Sequence, residues 1–122
     1  MSPPTSANEA RLILAVAVDL AGGDQVVARR LLEMIVETNR ATLVLLRDSV
    51  DAEAWDDAAS AAHRLAGSAI LLARDGLVAL INELEAAARQ QQRVLANTLL
   101  PHVVSAVAEF EASIKVAVAI AG

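Results

Sequence analysis

Glycine and proline, the two residues that most readily interrupt a helix, are confined to a few places in this chain, and the stretches between them are rich in alanine and leucine. Apolar residues make up 56% of the sequence and aromatics only 2%, with Trp55 and Phe110 alone. No segment shows the strict alternation of a half-buried strand, and there is no internal repeat. Closely packed helices are therefore the regular structure this pattern supports. A length of 122 residues fits about one domain with a sizeable core.

The punctuation divides the chain. The lead MSPPTSA, residues 1–7, is expected to be flexible, and residues 8–122 to form a single domain. Asn8 or Ser6 can cap a first helix that runs to about Leu20, where AGGD closes it. Asp24 suits the N-cap of a long second helix whose Val27, Leu31, Ile35, Leu43 and Leu46 follow one face. Arg29, Arg30, Glu33, Glu37 and Arg40 fall mostly outside that face. Asp51 can cap a third helix, with Glu53 in a first turn that favours negative charge. That helix is expected to reach Ala73, with Arg74–Gly76 turning the chain. The fourth presents Leu77, Leu80, Ile81, Leu84 and Ala88 inward and frays in RQQQR. The last runs from about Thr98 to Ala119, with Pro101 either in its first turn or kinking it. The expected fold is all-α: an up-and-down antiparallel four-helix bundle with an additional short N-terminal helix capping one end.

Charge and composition exclude several functions. The net charge is −5, and no basic stripe with interleaved aromatics is present, so nucleic acid is not an expected partner. Cysteine is absent, which removes disulfide and thiol chemistry. Leu12–Val18 and the uncharged Val94–Ala108 are both shorter than the roughly 18 apolar residues of a membrane span. The first residues lack the basic and apolar segments of a signal peptide. The chain is expected to be cytoplasmic, with no membrane partner.

His63, in the run AAHRLAGSA, is one of only two histidines. At about 100° per residue, Ala54, Ala58, Ala61, Leu65, Ala69 and Leu72 gather at roughly 160–240° from it. The ring is therefore expected to face away from the core, within a ring of small or apolar neighbours formed by Ala59, Ala66, Gly67 and Ile70, with Ser60 beside it. Gly67 in a helix interior costs about 0.8–1 kcal/mol relative to alanine. One turn beyond the imidazole, it clears a side chain from the path of an approaching surface. The residues alone leave two readings, an inconsequential surface histidine and an accessible nucleophile. An imidazole of ordinary pKa, about 6.5, is largely neutral near pH 7 and keeps a lone pair for attack.

Other chemistries find little support. Ser60 lies within reach of His63, but a helix surface offers no oxyanion hole, and no orienting carboxylate stands at an obvious position. His102 is on another helix and reads as a helix-start residue. Glu33 and Glu37 have no histidine at ligand spacing and read as a solvated face, so no metal site is expected.

HRLAGSA, preceded by DAEAWDDAASAA and followed by LLARDGLVALINELEAAAR, resembles the signature of histidine-containing phosphotransfer domains, the HPt modules of bacterial phosphorelays. Trp55, His63, Leu65, Gly67, Ser68, Leu77, Leu84 and Glu85 fall at matching positions. GDQVVARRLLEMIVETNRATLVLLRDSV resembles the preceding helix, so the likeness extends from about Gly23 to Val118. Two positions depart from the pattern. The usual lysine three residues after the histidine is Ala66, and the usual glycine at the end of that helix is Ala73.

The resemblance implies a relay intermediate. His63 would accept a phosphoryl group on Nε2 from a receiver-domain aspartate and pass it to another receiver, without kinase activity of its own. Receiver domains of response regulators or hybrid sensor kinases are the implied partners of a monomeric chain. No cofactor is expected here, because Mg²⁺ would sit in the receiver's acidic pocket. Docking is expected on Ala59, Ser60, Arg64, Ala66, Gly67, Ser68, Ile70 and Arg74, although Ser68 can instead bond back to its own helix. Arg64 is the weak substitute for the missing lysine. Arg74, about 20° from His63 in projection but some 16 Å along the axis, is better suited to docking. The rival reading is a non-catalytic helical adaptor that docks receiver or kinase domains without transfer, and Ala66 favours it. A third is a generic bundle that dimerises through its alanine-rich faces.

Overall fold

The structure, a computed structural model, describes residues 5–122, and the first four residues of the expected lead lie outside the described residues. The protein is all-α. Five helices follow one another, α1 (Thr5–Leu20), α2 (Gln25–Asp51), α3 (Trp55–Leu71), α4 (Asp75–Arg89) and α5 (Arg93–Ala121), with no strand among the described residues. The N-terminal helix is not short. It takes in residues 5–7 of the lead and reaches 16 residues, against 17 for α3. No helix among the described residues is long and apolar enough to cross a membrane.

Asp24 caps α2 as its sequence position suggests, its Oδ1 accepting from the amides of Val26 at 2.9 Å and Val27 at 3.1 Å. The start of α3 differs from expectation. Asp51 is the last residue of α2, Glu53 lies outside both helices, and Ala54 takes the N-cap without any side-chain bond. Asp56 and Asp57 supply the negative charge in the first turn instead. The last helix begins at Arg93 rather than near Thr98, which leaves Pro101 and His102 well inside it. Pro101 is exposed, so water can reach the Asn97 carbonyl that the missing N–H leaves unbonded.

Four helices end in one way. Gly22, Glu53, Ala73 and Gln91 each take a left-handed backbone, at φ 66°, 56°, 58° and 54°. The next amide then closes back five residues: Gly23 to Val18, Ala54 to Ser49, Arg74 to Ala69 and Gln92 to Ala87, at 2.8–2.9 Å. Each closure satisfies carbonyls that a helix terminus otherwise leaves without partners. Only α1 uses glycine for it, so the other three ends carry no glycine signal in the sequence.

The described residues gather into two compact units, one of residues up to Glu37 with Ala108–Gly122, the other Thr38–Val107. In the first, Ala10, Ile13, Leu14 and Ala17 of α1 are buried at three- and four-residue spacing, and so are Ala28, Leu32, Ile35 and Val36 of α2. Val27, expected inside, is half exposed. Small Ala28 takes a core position that a count of large apolar residues overlooks.

The second unit holds the histidine. The end of α2, all of α3 and α4 and the start of α5 share one core, with Leu46, Val50, Leu65, Ile81, Leu84 and Val103 among its buried side chains. Three-residue connections reverse the chain between successive helices, as in an up-and-down bundle. α3 and α4 pack against each other along their length. A polar link ties α3 to α2: Ser68 Oγ donates to Oδ1 of the buried Asn39 at 3.0 Å, and also lies 3.2 Å from the Leu65 carbonyl.

Two stability changes follow. Replacing Ala73 by glycine should raise the unfolding free energy by about 1 kcal/mol, because only glycine adopts φ near +58° without a Cβ penalty. Urea denaturation should therefore show a higher midpoint, the reverse of the usual alanine-to-glycine effect in a helix. In the same assay Ser68→Ala should cost about 1–3 kcal/mol, since it leaves the buried Asn39 carbonyl oxygen without its donor.

Candidate functional site

His63 stands on α3 with its side chain 74% exposed. Ser60, Arg64 and Gly67 are exposed with it, and Ile70, one turn past Gly67, is 63% exposed. A Cβ added at Gly67 would meet nothing within 4 Å. The protein's own packing therefore gives no reason for glycine there, and the patch beside the ring is open.

Four of the expected docking residues are placed differently. Ala59 and Ala66 are buried, each 2% exposed, and belong to the core of this unit. The buried arc of α3 runs from Ala61 through Leu65, Ala58, Ala69 and Ala62 to Ala66 and Ala59, wider than one seam. A helix flanked by several neighbours buries more than a single stripe, and alanine is too short to emerge from the margin. The ring of small residues thus has one side, Gly67 and Ile70, facing solvent. Ser68 is partly buried and turned toward Asn39, so its hydroxyl positions α3 and is spent inside the protein. Arg74 lies beyond the end of α3, as the N-cap residue of α4, and is partly buried. The projection that put it near the azimuth of His63 assumed a helix that persists to Arg74, and α3 stops at Leu71.

The carboxylate missing from the sequence reading comes from α4. Glu85 Oε1 lies 3.4 Å from His63 Nδ1, and Glu85 is only 15% exposed. Its other oxygen, Oε2, accepts from Arg89 Nε at 3.0 Å and Nη2 at 2.6 Å. A carboxylate can only accept, so it favours the tautomer with hydrogen on Nδ1. That assignment leaves the lone pair on Nε2. Arg89, the last residue of α4, cancels the carboxylate's charge and sits where a helix dipole favours a cation.

The sequence does carry a signal for part of this. Glu85 and Arg89 are four apart with the acid first, the favoured order for a helix pair. Nothing in the spacing says that the pair would meet a histidine on another helix. Among the described residues, no group of three or more histidine, aspartate or glutamate side chains is arranged to hold a metal ion. His102 is exposed on α5.

The arrangement is one accessible imidazole with a carboxylate at its Nδ1 and an open patch beside it. It suits a group carried on the surface and handed to a docking partner. No curated protein matches the chain, and no solved structure does. A family model described as the Hpt domain matches residues 30–113, which include α3, α4 and the His63–Glu85–Arg89 set. With most of its length matched, the chain belongs to the Hpt domain family, the phosphocarrier modules of histidine phosphotransfer.

Proposed function

We propose that this protein carries a phosphoryl group on His63 between receiver domains of a phosphorelay. The observation that carries the reading is the ring itself: its side chain is 74% exposed, and the Glu85 carboxylate lies 3.4 Å from its Nδ1. A receiver bearing an aspartyl phosphate docks on the patch of Ser60, Arg64, Gly67 and Ile70. Nε2 donates its lone pair to phosphorus in line with the leaving carboxylate oxygen. The P–O bond breaks, the aspartate leaves with that electron pair, and the ring keeps its Nδ1 proton. The new imidazolium is stabilised by the Glu85 carboxylate. Transfer onward runs the same steps in reverse on a second receiver's aspartate.

On this reading the chain contributes position rather than acid–base machinery. A carboxylate beside Nδ1 favours one ring tautomer before the partner arrives, which limits the ordering left for the encounter. The receiver supplies Mg²⁺ from its own acidic pocket to offset charge on the transferring group. The chain needs no cofactor of its own, acts as a monomer and has no kinase activity.

A second reading has one observation in its favour. The position of the family's lysine is a buried alanine, as a docking adaptor that has lost transfer would allow. Incubation with a receiver phosphorylated on aspartate separates the two. Acid-labile, base-stable label should appear on the wild-type chain and be absent from His63→Gln. Receiver binding without label would establish the adaptor.

Gly67 gives an independent check in which two measurements move in opposite directions. Gly67→Leu should raise the unfolding free energy by about 0.5–1 kcal/mol, because the site is open and helix propensity improves. The same change should slow transfer from the receiver by at least about tenfold, equivalent to roughly 1.4 kcal/mol of lost docking. Wild-type transfer by a stabilised Gly67→Leu would show that the receiver does not use this patch.

A further inference from the structure

The phosphotransfer reading leaves a charge unassigned. A phosphoryl group brings about −1.5 to −2 at pH 7. On His63 it stands beside a carboxylate, and Ala66, buried in the core, offers no cation where the family carries its lysine. We propose that Arg89 is the cation that holds the phosphoryl group on His63, supplied from α4 instead of from the histidine's own helix. The inference rests on the phosphotransfer reading and deepens it.

The geometry selects Arg89. The carboxylate that touches His63 with one oxygen touches Arg89 with the other. The guanidinium is therefore no farther from the imidazole than two close contacts and the width of a carboxylate. It bonds Glu85 through Nε and Nη2, both to Oε2. A guanidinium has five N–H donors, so three remain, those of Nη1 and the second of Nη2. Arg89 is 59% exposed, so donors it does not spend on Glu85 can meet a group arriving from solvent. The planar fork suits two oxygens of one phosphoryl group.

Arg64 is the competing cation. It follows His63 directly on α3, and so lies about 100° round the helix from it. Glu85 holds the ring from α4, and no carboxylate couples Arg64 to it among the ion pairs of that site. Before transfer Glu85 and Arg89 neutralise each other. As the phosphoryl group arrives, Arg89 can share its donors between Glu85 and the new oxygens and keep the two anions from facing each other unscreened.

The test uses the full chain and phosphoramidate, a small donor that requires no docking. His63 Nε2 gives its lone pair to phosphorus, the P–N bond of the donor in its ammonium form breaks, and ammonia leaves with that electron pair. Arg89→Gln should take up label about tenfold more slowly than wild type, the scale of one exposed charge-assisted hydrogen bond. Arg89→Lys should recover part of the rate, and Arg64→Gln should lose less of it than Arg89→Gln. The phosphorus resonance of the phosphohistidine should move farther in Arg89→Gln than in Arg64→Gln.

A Glu85→Gln/Arg89→Gln double variant removes the neighbouring negative charge as well. It should remain slow if Arg89 binds the phosphoryl group. Recovery to the wild-type rate would overturn the proposal, by showing that Arg89 only screens Glu85. Wild-type labelling of Arg89→Gln, or a larger loss in Arg64→Gln than in Arg89→Gln, would overturn it too. A wild-type chain that takes no label at His63 would remove both this inference and the phosphotransfer reading beneath it.

Discussion

The close packing of α3 against α4 is the constraint on which the site depends. The histidine is on one helix and its carboxylate on the other, and a glutamate side chain is short. Their 3.4 Å approach is possible only where the helices lie near each other. Alanine makes this possible: Ala58, Ala59, Ala62, Ala66 and Ala69 line the buried side of α3, and Ala87 and Ala88 that of α4. Interaxial distance depends on the side chains at the contact, and small ones permit the nearest packing. The same alanines release little hydrophobic energy each, so the larger Leu65, Ile81 and Leu84 contribute much of the burial.

Rotation of α3 about its own axis is the second requirement, since about 100° would carry the imidazole off the open face or into the core. Apolar packing of alanines constrains rotation weakly, because one methyl group is much like the next. The Ser68–Asn39 bond supplies what they lack, a directional link between α3 and α2 with its acceptor buried. The left-handed turn at Ala73 fixes the other end of the helix, closing Arg74 onto Ala69 before α4 begins. Between them, these features set which way His63 faces without placing a bulky residue beside it.

Element type, the alternation of helices and the outward direction of His63 were legible because they rest on periodicity and on residues with strong local preferences. Asp24 is an example: its side chain caps the next turn whatever the rest of the molecule does. The ends of α2, α3 and α4 were not legible to the same degree, since Glu53, Ala73 and Gln91 accept a left-handed backbone without the glycine that would advertise it. Ala59 and Ala66 were misplaced for a related reason. Projection on a wheel gives azimuth, but the width of the buried arc depends on how many helices flank α3. The partnership of Glu85 with His63 lies further still from the sequence, because no local pattern relates positions on separate helices.

The absence of the usual lysine and the closeness of the two helices belong together. A lysine at position 66 would have to extend its stem past the neighbouring helix to bring its ammonium to water, which requires room at the α3 margin. Alanine there is 2% exposed and packs within the core, so the room has been closed. Alanine leaves that margin of α3 without a cation, while α4 brings Glu85 within 3.4 Å of the ring. A carboxylate delivered by that approach would oppose a phosphoryl group unless its charge were balanced. One turn further along α4, the arginine that balances it is bonded in place and exposed at its outer edge. A carboxylate from α4 beside the ring, an arginine on the same helix that neutralises it, and a cation-free position 66 on α3 thus describe one face of the molecule.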